Sequence, residues 1–338
     1  MCDADQFKFR CEHYEEHSQM CKEFILTLFV KRIGTPPELS LFDTKLGRVF
    51  LKRGTYDQDG PIRLQDLHVN GTVTICSRKL KVLEYCDAPT RELFEQSSQQ
   101  VHTLIGSAAM QDLGRLLIAA SEAGFVLKRI KSLAKPHSGR FVAMELVGPD
   151  AVHQWMQVVK ETVSPASASV ISAEASTPDS ERLFEGRETT ATCSNCSLCI
   201  VRPHAVREGL AGHVIDALQA TGLDISAVIS YSLLKSQSEN FYEVYKTVIP
   251  SAQYHAMIAE LASGVSIAIE VRSSEAPVEK LRELCGPYDV EIAKHLRPNT
   301  IRAQMGRDNV HNAVHCTDLP EDGILECQYF FSILPGAN

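Results

Sequence analysis

Residues 103–127 read TLIGSAAMQDLGRLLIAASEAGFVL, and residues 199–225 read CIVRPHAVREGLAGHVIDALQATGLDI. Each segment has an apolar stretch, a turn, a run of apolar residues at helical spacing, and a glycine, Gly124 or Gly222, before a second apolar stretch. A glycine at that place typically ends a helix because it adopts the left-handed conformation without strain. Further along, RFVAMELVGPDAVHQW in the first copy corresponds to VSIAIEVRSSEAPVEKL in the second. The repeat predicts two tandem α/β units.

The two copies differ in length and in chemistry. The first copy lacks the segment that separates the second strand from the third in the other copy, and Gly106 stands where the second copy has Arg202. No histidine occurs between His153 and His204. Residues 162–181, TVSPASASVISAEASTPDSE, are rich in Ser, Ala and Pro, which favours a flexible loop. The first copy is therefore predicted to be a degenerate scaffold.

A different pattern precedes the repeat. Between Lys22 and Asp87, short β-branched segments alternate with turn clusters; they read EFILTLFV, ELSLFD, RVFLKR, TVTICS and KLKVLEYC. This pattern predicts a small antiparallel β domain. The following stretch, APTRELFEQSSQQV, has Thr90 as a plausible N-cap and predicts a helix that closes one end of the sheet. Residues 1–21 are interpreted as an N-terminal extension.

Composition excludes several classes of function. Lys and Arg number 34 and Asp and Glu number 42, so the formal net charge is 34 − 42 = −8, which argues against nucleic acid as a partner. No apolar run approaches the ~18 residues that span a membrane. The N-terminal MCDADQFKFRCEHYEEHSQM is acidic and lacks the apolar core of a secretory signal. We therefore expect an intracellular protein without a membrane partner.

Three of the 11 cysteines, Cys193, Cys196 and Cys199, form a CxxCxxC run. Such spacing can hold a metal ion, but a structural site needs a fourth ligand. The nearest candidate, His204, lies beyond the strand-like stretch CIV. Packing of reduced thiols is the favoured interpretation, and no metal-ligating residues are predicted.

Residues 297–318, RPNTIRAQMGRDNVHNAVHCTD, concentrate polar side chains in one loop-rich stretch: Arg297, Arg302, Arg307, Asn312, His315, Thr317 and Asp318. Guanidinium groups suit phosphate oxygens, and a neutral imidazole is a nucleophile. Together they could accept a phosphoryl group. The alternative for Lys294, His295 and Arg297 is an exposed helix face, which we favour for those three.

Five separated motifs, RPHAVREGLAG, SENFYEVYK, YHAMIAELASG, PNTIRAQMG and NAVHCTD, resemble the nucleoside diphosphate kinase family over about residues 196–334. The preceding run VNGTVTICSRKLKVLEYCD and the incomplete repeat resemble the DM-type domain and tandem arrangement of that family's axonemal branch. The resemblance implies a multidomain α+β protein. Its parts would be a PH-like DM-type β domain over 22–98 and two ferredoxin-like α/β sandwich domains, degenerate over 99–190 and complete over 191–338.

The resemblance also implies roles for individual residues. His315 would accept the γ-phosphate and pass it to a diphosphate, and Glu326, in the LECQYFF stretch that we expect to be a strand, would hold the other ring nitrogen. Tyr254 would stack on the base. The full set of nucleotide-binding positions implied is Arg202, Tyr242, Tyr254, Arg282, Tyr288, Arg302, Asn312 and Thr317. Mg²⁺ bound with ATP or GTP is implied as the cofactor.

Two positions depart from the family pattern. Arg202 replaces a lysine, and Tyr288 replaces a small hydroxyl residue, so phosphotransfer is expected to be weak. The resemblance implies a microtubule-associated protein of the ciliary or flagellar axoneme, located in the doublet lumen, with tubulin and other doublet proteins as partners and the cytoplasm and cytoskeleton as its location. The alternative is a fully active enzyme whose main role is housekeeping exchange between nucleoside triphosphates and diphosphates.

Overall fold

The computed structural model describes residues 5–15, 20–30, 37–56, 62, 67–69, 71–135 and 139–336. Two compact units make up the chain. The first contains residues 1–99 with the short segments 121–125 and 148–150, and the second contains the remaining residues. No helix within these described ranges is long and apolar enough to cross a membrane.

The first unit is a six-stranded antiparallel sheet with the strand order β4-β3-β2-β1-β6-β5. Its strands are β1 (Asp5–Glu15), β2 (Met20–Val30), β3 (Glu38–Asp43), β4 (Arg48–Gly54), β5 (Thr72–Ile75) and β6 (Arg78–Tyr85), and helix α1 is Ala88–Ser97. Alternate residues of β2, such as Phe24, Leu26 and Leu28, are buried in one core, which is the pattern of a sheet with one covered face. The predicted β domain with a helix after it is confirmed; its likeness to a PH domain stays a prediction.

Two expectations for this unit were wrong. Residues 1–21 are not an extension as a whole, because Asp5–Glu15 form a central strand that pairs with both β2 and β6. Helix α1 is capped by Asp87, whose Oδ1 accepts a hydrogen bond of 3.0 Å from the Thr90 backbone N–H. Thr90 lies inside the helix, and its hydroxyl accepts from the Lys8 backbone N–H at 2.9 Å.

The second unit contains one eight-stranded sheet with the order β10-β7-β9-β8-β12-β13-β11-β14. Its strands are β7 (Ser98–Gly106), β8 (Val126–Lys135), β9 (Gly139–Pro149), β10 (Ile171–Ala175), β11 (Cys196–Val201), β12 (Asp224–Ser232), β13 (Val265–Arg272) and β14 (Val314–Cys316). Its α-helices are α2 (Leu113–Glu122), α3 (Ala151–Thr162), α4 (Pro165–Ala168), α5 (Pro178–Glu181), α6 (Pro203–Arg207), α7 (Ala211–Ala220), α8 (Lys235–Phe241), α9 (Ser251–Leu261), α10 (Pro277–Cys285), α11 (Val290–Leu296), α12 (Ile301–Met305) and α13 (Asp322–Gln328). Shorter helical turns cover Ser107–Asp112, Glu243–Tyr245, Tyr329–Ile333 and Leu334–Gly336.

The two sequence repeats are the two halves of this sheet. In each half the fourth strand lies beside the first, then the third, then the second: β10-β7-β9-β8 in the first copy and β14-β11-β13-β12 in the second. This is the strand order of a βαββαβ sandwich. The halves join where β8 meets β12, with Lys131 opposite Ile229. The mixed α+β class is confirmed, and the two copies, expected as separate domains, share one continuous sheet within one unit.

The Ser-rich segment between the copies was expected to be a flexible loop, and that expectation was wrong. It contains the short helices α4 and α5 and strand β10, which pairs antiparallel with β7. The interpretation failed because Ile171–Ala175 is an edge strand with only one strand beside it in the sheet, and most of its side chains are exposed. Its hydrophobic pattern is therefore weak.

The first copy does lack the segment predicted to be missing. Strands β8 and β9 are separated by only residues 136–138, whereas α8 and α9 lie between β12 and β13. Gly124 and Gly222 follow α2 and α7 with φ of +87° and +75°, as expected of glycines that end a helix.

Helices α2 and α7, the first long helices of the two copies, cross at two glycines. A Cβ atom on Gly114 would lie 2.5 Å from the backbone nitrogen of Asp216, and one on Gly212 would lie 2.5 Å from that of Ile118. Gly114 faces Asp216, which lies four positions after Gly212, and Gly212 faces Ile118, which lies four positions after Gly114. The crossing is therefore symmetric. Only the absence of a side chain allows the two backbones to approach this closely.

We expect Gly212→Ala to lower the free energy of unfolding of this unit by about 1–3 kcal/mol, because the added methyl group collides with backbone that cannot move aside. The gain in helix propensity, about 1 kcal/mol, does not offset the collision. Urea denaturation followed by circular dichroism measures the change. Gly264→Ala is the control, because the nearest atom, 3.1 Å away, is the end of the long Arg207 side chain. Equal stability of the two variants would contradict the prediction.

Candidate functional site

The candidate site is built around the short edge strand β14. His315 lies in the middle of this strand, opposite Ile200 of β11, and its side chain is 5% exposed. Glu326 lies on α13, which follows β14, so the expectation that LECQYFF forms a strand was wrong. A short apolar run can be either a buried strand or a buried helix, and its periodicity alone does not distinguish them.

A chain of hydrogen bonds fixes the His315 ring. Nε2 of His315 lies 3.2 Å from each carboxylate oxygen of Glu326. The Thr317 hydroxyl donates to Glu326 Oε2 at 2.7 Å and itself accepts from the Leu198 backbone N–H at 2.9 Å. Because these bonds tie Glu326 to β11 through Thr317, the carboxylate has a defined position under the ring. Thr317, expected to contact nucleotide, is occupied with this bond.

This arrangement determines which ring nitrogen can react. An ionised carboxylate can only accept hydrogen bonds, so the proton of neutral His315 lies on Nε2. Nδ1 then carries the lone pair, and no residue that the structure describes forms a hydrogen bond with it. His315 is therefore held with one nitrogen protonated and the other available as a nucleophile.

Two aromatic rings contact the histidine, and an arginine lies against one of them. The ring centroids of Phe241 and Tyr242 lie 5.0 Å and 6.1 Å from that of His315, both edge to face. The guanidinium of Arg202 lies 5.9 Å from the Tyr242 ring centroid and donates to the Val310 carbonyl at 2.9 Å. Burial raises the pKa of the Tyr242 hydroxyl, which stays protonated as a donor.

Three side chains of the predicted set carry buried polar atoms without a partner. Among the described residues, no hydrogen bond reaches Nε of Arg202, the hydroxyl of Tyr242 or Oδ1 of Asn312. Buried polar groups are nearly always paired, so each orphan needs an explanation, and a bound polar ligand supplies one. Two of the three are donors, which suits an anionic ligand.

Arg302, the second buried arginine of the predicted set, is partly used by the protein itself. Its NH1 group donates to the Gly286 carbonyl at 2.8 Å, and its NH2 group lies 3.3 Å from the Val314 carbonyl, next to His315. Arg302 therefore brings positive charge to β14 and also fixes that strand. Arg282 lies on α10, is exposed, and donates to the Asp318 carbonyl at 2.7 Å.

The other two tyrosines of the predicted nucleotide set, Tyr288 and Tyr254, lie away from His315 in the packing around α9. The Tyr288 hydroxyl turns towards α9, where it accepts from Gln253 at 2.9 Å and lies 3.2 Å from the Met257 sulfur. Tyr254 is 6% exposed and packs in the hydrophobic core. A base-stacking residue needs an exposed ring face, so the structure does not offer Tyr254 as a platform. The neighbouring Gln253 instead faces a cleft.

That cleft has a volume of about 570 Å³ and lies between α9, the start of α11 and the loop that precedes His315. Its lining includes Gln253, Arg307, Asn309, Val310 and His311. The carbonyl of Val310 accepts the hydrogen bond from Arg202, so one residue that lines the cleft also contacts this buried arginine.

The predicted exposed face at Lys294, His295 and Arg297 is confirmed, since all three are exposed.

A second histidine and carboxylate pair was missed by sequence reasoning. His204, at the start of α6, donates from Nδ1 to Glu260 Oε1 of α9 over 2.8 Å, and its Nε2 lies 3.2 Å from the Ala313 backbone nitrogen. Both side chains are buried. A glutamate between the apolar residues Met257 and Leu261 on one helix was the available signal, because a buried charge requires a partner.

The equivalent positions of the first copy carry no such chemistry. The Arg202 backbone N–H donates to the Ala313 carbonyl at 2.9 Å, and Gly106 makes the matching bond to Val170 at 3.0 Å. Val170 therefore corresponds to Ala313, and Ser172, two positions later on β10, corresponds to His315 on β14. Ser172 and Gly106 therefore occupy the positions of His315 and Arg202, and the degeneracy of the first copy stays a prediction.

Cys193 and Cys196 of the CxxCxxC run pack in one hydrophobic cluster. The sulfur atoms of Cys196 and Cys327 and a carboxylate oxygen of Glu270 lie within 4.8 Å of one another, all buried. Glu270 already accepts from the backbone N–H groups of Thr192 and Cys193, at 2.9 and 2.7 Å. The Glu270 carboxylate therefore has hydrogen-bond partners within the protein, which favours packing of reduced thiols over a metal site. The absence of metal ligands stays a prediction.

Comparison with known proteins finds a family match in the second copy. A nucleoside diphosphate kinase family model matches residues 195–334. The nucleoside diphosphate kinase of Aquifex aeolicus is 31% identical over 136 residues, which cover 40% of this chain and 93% of that protein. A crystal structure of the Aquifex aeolicus enzyme aligns with a TM-score of 0.39 and 30% identity, covering 42% of this chain and 97% of that one.

Two relatives match almost the whole chain. Nucleoside diphosphate kinase homolog 7 of Rattus norvegicus is 31% identical over 387 aligned residues, and its counterpart in Mus musculus is 32% identical over 381. Each alignment covers 98% of this chain and 94% of the relative. Because the similarity runs through the β domain and both copies of the repeat, the chain belongs to the nucleoside diphosphate kinase family, in the group of homolog 7.

Proposed function

We propose that the second copy transfers the γ-phosphate of a nucleoside triphosphate to a nucleoside diphosphate through His315. The observation that carries the proposal is the state of the His315 ring. Its Nε2 is bound to Glu326, and its Nδ1 is free of hydrogen bonds among the described residues. Buried Arg202 lies against the Tyr242 ring, and buried Arg302 lies against the carbonyl of Val314. Family membership supports the same reaction.

The reaction would proceed in two steps. Nδ1 of His315 attacks the γ-phosphorus, a nitrogen–phosphorus bond forms, and the bond to the bridging oxygen breaks as the nucleoside diphosphate leaves. A terminal oxygen of a second diphosphate then attacks the phosphorus, and the nitrogen–phosphorus bond breaks. The proton on Nε2 remains hydrogen-bonded to Glu326, which stabilises the positive charge that the ring develops.

The surrounding side chains have roles that follow from their charge. Arg202 and Arg302 would stabilise the negative charge on the transferred phosphate, and the Tyr242 hydroxyl would donate to a phosphate oxygen. Asn312, with an unpaired oxygen, suits a donor on the ligand such as a ribose hydroxyl. The nucleoside would lie in the cleft beside Gln253, where base stacking on an aromatic ring is not available.

Mg²⁺ would enter together with the nucleotide. The nearby carboxylate of Glu326 is occupied by His315 and Thr317, and that of Asp318 accepts from the Tyr245 hydroxyl at 2.5 Å. The residues therefore fit an ion held by phosphate oxygens rather than by a carboxylate cage. When bound, Mg²⁺ neutralises charge on the phosphates.

We expect His315→Ala to abolish formation of an acid-labile phosphoprotein when the purified chain is incubated with γ-labelled ATP and Mg²⁺. Loss should be complete, because no other side chain in the set can replace the nucleophile. The matched control is His213→Ala, which removes an exposed histidine of α7. Absence of label in the unmodified protein, or retention of label in His315→Ala, would contradict the proposal.

Arg202→Lys should increase the rate of phosphotransfer by about tenfold, equivalent to ~1.4 kcal/mol. Lysine gives a compact charge where the larger guanidinium now binds the Val310 carbonyl, and it leaves room for the phosphate. Single-turnover kinetics measure the rate. An unchanged or lower rate would show that Arg202 is not the cause of weak transfer.

A second proposed role is architectural, as a component of the ciliary axoneme that binds inside the microtubule doublet. It is supported by the first copy, which keeps the full sheet order while Ser172 and Gly106 occupy the positions of His315 and Arg202. A copy without a nucleophile retains surface that can bind other proteins. Tubulin and doublet proteins are the proposed partners.

Fractionation of cilia tests this role. The protein should remain with the tubules after detergent has removed membrane and matrix, and it should be released only when the doublets are dissolved. His315→Ala should fractionate identically, since the proposed binding surface does not need the nucleophile. Recovery of the protein in the detergent-soluble fraction would contradict the architectural role.

A further inference from the structure

The residue two positions before His315 has an unusual backbone conformation. Ala313 has a φ of +68°, and the Val314 N–H donates to the Asn312 carbonyl at 2.9 Å across it. A three-residue turn with positive φ at its centre is rare and strained for any residue with a side chain. Such a turn persists only where its surroundings hold it.

Both polar groups of Ala313 are held by the start of α6. Its carbonyl accepts from the Arg202 backbone N–H at 2.9 Å, and its N–H donates to Nε2 of His204 over 3.2 Å. The second bond is made by a side chain, and it can be removed without changing the backbone of either segment. Substitution of His204 therefore removes this bond and leaves the backbone bond from Arg202 in place.

Glu260 determines the orientation and tautomer of His204. Its Oε1 accepts from both Nδ1 and the backbone N–H of His204, at 2.8 and 2.9 Å. With the proton on Nδ1, Nε2 keeps the lone pair that the Ala313 N–H requires. Burial alone would raise the pKa of Glu260, but the hydrogen bonds from His204 outweigh it and lower the pKa, so Glu260 is ionised at neutral pH.

Three other groups lie around the second oxygen of Glu260. The Ser263 hydroxyl donates to Glu260 Oε2 at 3.2 Å, and Arg207 and His311 lie 3.9 and 3.7 Å from the same oxygen. These groups stabilise the carboxylate. His311 precedes the first residue of the turn, but its 3.7 Å contact with the carboxylate is longer than a hydrogen bond, whereas His204 is hydrogen-bonded to both Glu260 and Ala313.

We propose that His204, oriented by Glu260, is a positioning residue that holds the turn at Ala313 and thereby aims Nδ1 of His315 at the γ-phosphate. The proposal rests on the proposed phosphotransfer. His204 does not contact the reacting atoms: it acts through Ala313, which one peptide bond joins to Val314, the first residue of β14.

Two substitutions separate the two bonds of the imidazole. The amide of His204→Gln reaches the position of Nε2 and can accept from the Ala313 N–H, but it lacks a donor at the position of Nδ1. The amide of His204→Asn reaches the position of Nδ1 and can donate to Glu260, but nothing then accepts from Ala313. Each variant therefore keeps one bond and removes the other.

The measurement is the rate of phosphoprotein formation in single turnover, together with the dissociation constant for ADP and the melting temperature. His204→Asn should lower the rate by about 10- to 100-fold while ADP binding changes less than about threefold, because the nucleophile is misplaced and the binding groups remain. His204→Gln should keep a rate within about threefold of the unmodified protein. A general loss of stability would lower both rates alike.

His213→Asn, at an exposed position of α7, controls for the substitution itself. A rate for His204→Asn equal to that of the unmodified protein, or equal losses in the Asn and Gln variants, would overturn the positioning role while leaving phosphotransfer intact.

If the unmodified protein forms no phosphoprotein, the proposed function fails, and the positioning role is judged separately by hydrogen exchange of the Ala313 amide. Exchange should be slow in the unmodified protein and in His204→Gln, and at least about tenfold faster in His204→Asn, because the amide then lacks its acceptor. Equal exchange in all three proteins would overturn the contact.

Discussion

The hydrogen bond between Nε2 of His315 and Glu326 requires α13 to lie directly against β11. Gly323 makes this possible, since a Cβ atom there would stand 2.3 Å from the Cys196 carbonyl oxygen. Glu326 follows one helical turn later and reaches the ring from that position. A larger residue at Gly323 would move the helix outward, and the carboxylate would no longer fix the tautomer of His315 on which the proposed phosphotransfer depends.

The site is made from parts that are distant in sequence and held by backbone contacts. The strained turn at Ala313 is bound by Arg202 and His204, and the carboxylate of Glu260 comes from a third element. Strain of this kind costs of order 1–3 kcal/mol and is retained where the surrounding structure fixes it. Because the strained turn lies two residues before His315, the contacts that hold the turn also help to position the His315 side chain.

Duplication separates the requirements of the fold from those of the chemistry. Both halves of the eight-stranded sheet have the same strand order, and the two helices that cross at Gly114 and Gly212 do so symmetrically. The first half nevertheless carries Ser172 at the place of His315. Burial of apolar side chains therefore sustains the sandwich in both halves, whereas reactivity depends on a few polar residues that the fold does not require.

Periodicity and turn residues predicted most strands and the glycines that end α2 and α7, because these features arise from local backbone preferences. The resemblance around His315 also implied its contact with Glu326, and the two side chains lie 3.2 Å apart. Predictions failed at β1, β10 and α13, where burial and pairing with distant strands decide the conformation. The local pattern of these segments does not contain that information.

By itself the sequence determined the duplicated architecture and the family, and it singled out His315, since each follows from the order and spacing of residues along the chain. Tertiary structure decided that Tyr254 is buried, that Thr317 binds Glu326, and that His204 and Glu260 form a pair beneath the Ala313 turn. These outcomes depend on which side chains meet across separate elements, and burial makes each unpaired polar group costly enough to select one arrangement.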